Sequence, residues 1–106
     1  MVPCTHVRDF DAVLQEGRLT VTASGVHPSL GYVVDIVPLG RGLPATRYEV
    51  RCSRPKGMVA MALDPFKVWH ISHVGSAAPS GIIIRHGSGE ITIPVRKAGE
   101  ASPGEE

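Results

Sequence analysis

His70 and His73, in the stretch His-Ile-Ser-His, are the residues whose type and spacing come nearest to a chemical site. On a helix, a spacing of three would set both imidazoles on one face, as two ligands of a zinc ion. On a strand the same spacing sends them to opposite faces. Residues 66–71, Phe-Lys-Val-Trp-His-Ile, read as a strand. Convergence would then need a turn at Ser72 and a further ligand such as His27 or His86, so no metal site is expected. Cys4 and Cys52 lack the local spacing of a metal-binding pair. Two free thiols are the simpler reading, and a Cys4–Cys52 disulfide is the alternative.

Covalent catalysis asks for a nucleophile, a base within hydrogen-bond reach and a third group that orients the base. Serines, histidines and acids are all present, but none stands in a Gly-x-Ser-x-Gly or Cys–His context. There is no phosphate-binding glycine loop and no dinucleotide fingerprint. These readings predict a chain that is not an enzyme, with no catalytic residues and no cofactor. Arg47, Arg51, Arg54 and Lys56 form a basic run able to touch phosphates. The formal net charge is only +1, and one Trp, two Tyr and two Phe offer little surface for base stacking. A solvated strand face, with Glu49 offsetting part of the charge, is the expectation, and nucleic acid is not an expected partner.

No segment approaches the ~20 apolar residues that a membrane helix needs, so no membrane partner is expected. The opening Met1-Val2-Pro3-Cys4-Thr5-His6 has no basic region followed by an apolar stretch, which reads as no signal peptide and a cytoplasmic chain. With 106 residues, 42% of them hydrophobic and 20% charged, the composition is that of one globular domain.

The elements that must position these residues are mostly strands. Residues 9–17 alone suggest a short helix: Asp9 could cap it, Gly17 could end it, and Phe10, Val13 and Leu14 fall at helical spacing. Residues 18–23 alternate, with Leu19, Val21 and Ala23 on one face. Residues 32–37 are apolar on both faces apart from Asp35, as in a central strand. Residues 47–52 alternate most cleanly, with Tyr48, Val50 and Cys52 opposite Arg47, Glu49 and Arg51. Residues 58–63 are too short to assign by period. Residues 81–85 and 90–95 flank His86-Gly-Ser-Gly89 as a hairpin, and Pro94, lacking an amide donor, places the last strand at an edge. About six strands, with at most a short helical turn, predict an all-β fold: a small antiparallel β-sandwich or open barrel. It would form a single domain over residues 1–96, followed by a disordered tail over 97–106.

Between the first strands lies Ser24-Gly-Val-His-Pro-Ser-Leu-Gly-Tyr32, a turn stiffened by Pro28. A stiff, partly apolar loop at the end of a sandwich loses little entropy when it binds. His27, Pro28, Leu30 and Tyr32 are therefore candidate partner-binding residues, joined by Arg54 and Pro55 of the second proline-stiffened turn.

The order His-Pro-Ser-Leu-Gly-Tyr, then Arg-Pro-Lys-Gly, then Asp-Pro-Phe resembles the protease-complex PrcB C-terminal domain family over residues 18–72. Pro28, Gly31 and Tyr32 fit its first motif, Pro55 and Gly57 its second, and Pro65 and Phe66 its third. Ser29-Leu30 stands where that family has Thr-Gly, and the 82–95 hairpin extends past its usual pattern. The opening turn is also similar, more weakly, to the Asn-Pro-Thr-Thr-Gly-Tyr loop of chagasin-type protease inhibitors, with His27 at the Asn position. The first resemblance implies a non-enzymatic, protease-associated module that stabilises or assembles a protein complex. A histidine-based metal or small-ligand domain and a structural subunit of a larger assembly are the alternatives. Ile82, Ile83 and Ile84 in succession also suggest a homodimer through the 82–95 hairpin.

Overall fold

Alternation of apolar and polar residues at a period of two is clearest in residues 18–23 and 47–52, and strands fill much of the rest of the chain. A computed structural model describes residues 2–40, 45–58 and 60–98, which hold nine strands and no helix. They are β1 (Val2–Pro3), β2 (Val7–Gln15), β3 (Arg18–His27), β4 (Val33–Pro38), β5 (Arg47–Ser53), β6 (Asp64–His73), β7 (Gly81–His86), β8 (Gly89–Pro94) and β9 (Arg96–Lys97). None of the described residues forms a helix long and apolar enough to cross a membrane.

The strands make two sheets. One has the order β6-β3-β2-β9. The other is built around β5, which pairs with β4 along one edge and shares its other edge between β1 and β7, with β8 beyond β7. The faces that meet carry the residues picked out by alternation: Leu19, Val21 and Ala23 from β3 against Ile36, Tyr48, Val50, Cys52, Ile82 and Ile84. This is the expected all-β sandwich. Most pairings are antiparallel, while β5·β7 and β2·β9 are parallel. Pro94 lies on β8, an edge strand, as its missing amide requires.

Residues 9–17 correct the helical expectation. They belong to β2 and its turn into β3. Glu16 and Gly17 both have positive φ, 52° and 75°, and Gln15 pairs with Arg18. That is a two-residue hairpin turn of the primed kind, whose twist suits the flanking strands. A glycine after an apolar segment serves a helix end and this turn equally well. Pairing along the length of β3 decides for the strand. At the other end of the chain, Lys97 and Ala98 belong to the fold and not to the expected tail. Lys97 pairs with Leu14, and the Ala98 amide donates to the Leu14 carbonyl at 2.9 Å. The rest of that tail, 99–106, lies outside the described residues.

Glu16 is a non-glycine residue in the left-handed region, a position that favours Asn before Gly. Glu16→Asn is expected to raise unfolding free energy by up to about 1 kcal/mol, part of the left-handed penalty it relieves. An unchanged or lowered urea midpoint would contradict this assignment of the turn.

Candidate functional site

The β4·β5 ladder gathers the predicted turns at one end of the sandwich. Val33 opposes Ser53, so Tyr32 enters the ladder beside the point where Arg54 and Pro55 leave it. The Leu30 amide donates to the Ala60 carbonyl at 3.1 Å, tying the first turn to the segment that follows the second. Pro28 and Leu30 are exposed, Tyr32 and Pro55 are half-buried, and Arg54 is exposed. The segment beside Leu30 carries Met58, Met61 and Leu63 into solvent, at 103%, 80% and 78% exposure. Residues 58–63, ambiguous in sequence, include no regular structure among those described.

His27 is a correction. It was expected on the exposed turn, but it ends β3 with 1% exposure. The alternation of β3 continues through Gly25 to His27, so the imidazole points inward. Its ring lies between two aromatic rings: Tyr32 stacks on one side at 4.0 Å between centroids, and Phe66 is stacked at 4.7 Å. His6 stands edge-on at 5.1 Å. Ser29, next to the exposed Pro28, is also buried.

Behind His27 lie both cysteines. Cys4, His27 and Cys52 are all buried, and one ligand atom from each lies within 4.8 Å of the others. Cys4 Sγ is 3.9 Å from His27 Nε2, while His27 Nδ1 is buried without a hydrogen-bond partner among the described residues. Both thiols are free. Cys4 is clamped by its backbone, its amide donating to Val50 and its carbonyl accepting from Gly87, at 2.9 and 2.8 Å. Gly25 lets the following residues approach β3. A Cβ there would lie 1.9 Å from the His6 carbonyl oxygen. Burial holds the His27 pKa below its ordinary value, reinforced by His6 and opposed by Asp64. Burial and the neighbouring Cys4 push the Cys52 thiol up to about 12.

The remaining candidates separate. β6 runs straight through Ser72, with His70 half-buried on its inner side and His73 exposed on the outer one. Two members of the basic run, Arg47 and Arg51, are already engaged. Arg47 pairs with Glu90 at 3.2 Å, and Arg51 and Arg85 both reach Glu49. Glu49 itself is buried, against the expectation of a wholly wet face. In the hairpin, Ile82 and Ile84 face the core, and Ile91 and Ile93 oppose Ile84 and Ile82 on that same side. The outer face carries Ile83 opposite Thr92, so consecutive isoleucines do reach both faces, with a single isoleucine on the outer one.

No family model, curated protein or solved structure matches this chain. The likeness to the PrcB C-terminal domain family therefore rests on its seven motif residues alone. The Cys4–His27–Cys52 cluster is hidden in the sequence because Cys4 and Cys52 meet through the register of β1 on β5, and His27 faces them from the other sheet. One signal was present: continuing the Leu19-Val21-Ala23 alternation by two steps brings His27 to the inner face.

The geometry separates two neighbours in sequence. His27→Ala removes a ring stacked on both faces and is expected to cost about 2–3 kcal/mol, as large-to-small core changes do. Leu30→Ala, on the exposed side of the same turn, should stay within about 0.5 kcal/mol. Equal effects in urea unfolding would show that His27 is not the buried member.

Proposed function

We propose that the chain is a non-enzymatic protein-binding module that stabilises or assembles a protein complex. Its contact surface is the end of the sandwich formed by residues 28–32, 54–58 and 60–63. The observation that carries this reading is the exposure of Leu30, Met58, Met61 and Leu63 on two segments joined by the Leu30–Ala60 hydrogen bond. Large apolar side chains gathered on one part of a small protein's surface mark an interaction site. Methionines suit such a site because their unbranched, polarisable side chains adapt to a partner's shape. Pro28 and Pro55 stiffen the two segments and lower the entropy lost on docking. A protease complex is the setting implied by the PrcB resemblance.

The test is affinity capture from the source cells, with candidate partners identified by mass spectrometry and then purified. Leu30→Asp combined with Met61→Asp should abolish binding of the purified partner while leaving the melting temperature within a degree or two, as exposed substitutions do. Full binding by this variant would move the contact surface elsewhere. A second copy of the chain is also a candidate partner, since β8 is an edge strand. If the β7–β8 hairpin makes that contact, light scattering should give a dimer mass for the native chain and a monomer mass for Ile83→Lys. A native mass of one chain at high concentration would remove the homodimer reading.

A further inference from the structure

Three side chains able to ligate a soft metal meet in the interior, and nothing in the binding surface above uses them. We propose that Cys4, His27 and Cys52 form a buried zinc site, with His6 beside the fourth coordination position. The inference does not rest on the protein-binding reading, and it replaces the sequence-based expectation that the chain holds no metal.

The donor set is the first argument. Two thiolates and an imidazole are ligands that zinc accepts and that hard cations such as calcium and magnesium do not favour. Spacing is the second. Tetrahedral zinc bonds place two sulfurs about 3.8 Å apart, and a sulfur and a nitrogen about 3.6 Å apart. Cys4 Sγ and His27 Nε2 are at 3.9 Å, and all three ligand atoms fall within 4.8 Å of one another. Shifts of a few tenths of an ångström to about 1 Å would bring them into coordination. The His6 ring stands edge-on to His27 at 5.1 Å between centroids, beside this cluster but with its nitrogens outside the 4.8 Å group, so it would have to move inward to ligate.

The third argument is the state of His27. Its Nδ1 has no partner among the described residues, and the neighbour of Nε2 is a thiol at the far limit of hydrogen bonding. A buried imidazole with neither nitrogen in a normal hydrogen bond is rare in native proteins. An ion held with Cys4 and Cys52 would take up Nε2, the nitrogen that faces the thiol, and Nδ1 would keep the proton. Each thiol would release its proton to solvent on binding.

A disulfide is the rival use of the two cysteines, and strand register disfavours it. Val2 opposes Cys52, and the Cys4 amide bonds to Val50, so the two cysteines are diagonal neighbours on adjacent strands. Diagonal Cα atoms lie about 7–8 Å apart, whereas a disulfide wants them below about 7 Å. Side chains at that separation can share an ion more easily than a bond.

Cobalt(II) gives the direct test, because thiolate ligation produces a charge-transfer band and tetrahedral geometry strengthens its visible bands. The reduced full-length protein should take up one equivalent, show both signatures, and lose them when zinc is added. Cys4→Ser and Cys52→Ser should each remove the charge-transfer intensity or reduce it to about half. His6→Ala should weaken cobalt binding several-fold. His70→Ala combined with His73→Ala should leave the spectrum unchanged. If the serine variants do not fold, alkylation of the native chain decides: zinc should shield both thiols, and chelator should expose them together. Reduced, folded protein that takes up no cobalt overturns the proposal. So does a charge-transfer band that survives Cys52→Ser at full strength, or thiols alkylated at equal rates with and without zinc. A cobalt affinity unchanged in His6→Ala overturns the place given to His6.

Discussion

The structure depends on how β5 shares its edges. A strand seven residues long is paired on one side by the whole of β4 and on the other by two strands placed end to end, β1 near its finish and β7 near its start. Backbone amides and carbonyls inside a protein must find partners, and a divided edge satisfies them with two pieces that lie far apart in sequence. The division brings residue 4 beside residue 52 and draws the β7–β8 hairpin into the sheet. It also explains why Glu49 is buried among arginines: its strand has neighbours on both sides, and Arg51 and Arg85 reach it there.

The opposite sheet answers with a strand of unusual regularity. Every second residue of β3 from Leu19 to His27 is buried. The narrowest point is Gly25, where the backbone of residue 6 comes so close that no side chain fits. The aromatic stack of Tyr32, His27 and Phe66 begins immediately beyond that point. The exposed turn therefore stands on a rigid base, with Leu30 at the surface and a closely packed interior two or three residues away.

How much of this the sequence disclosed depends on how far each feature reaches along the chain. Alternation in residues 18–23 and 47–52 and the glycines after His86 are local signals, and they gave the sandwich, the edge position of Pro94 and the final hairpin. Residues 9–17 failed because Gly17 fits a helix end as well as a hairpin, and only pairing with β3 separates the two. The two-residue strands β1 and β9 are too short to leave a periodic trace, and the parallel pairings depend on neighbours remote in sequence. The turns carrying Pro28, Leu30, Arg54 and Pro55 were legible from proline and glycine, although their adjacency needed the β4·β5 register. The Cys4–His27–Cys52 meeting was invisible because it needs both the register of β1 on β5 and the packing of one sheet on the other.

The divided edge of β5 also sets an order of events. Residue 4 has its place only once residue 50 is available to accept its amide, and its carbonyl waits for residue 87. Contacts of such long sequence separation form late and slowly. On a chain emerging from the ribosome, the hairpin of β2 and β3 can close early, while the segment carrying Cys4 has to wait. During that interval a thiol that ends fully enclosed is open to oxidants and to any soft metal ion nearby. The surroundings in which the chain is made therefore bear on that thiol until the fold encloses it.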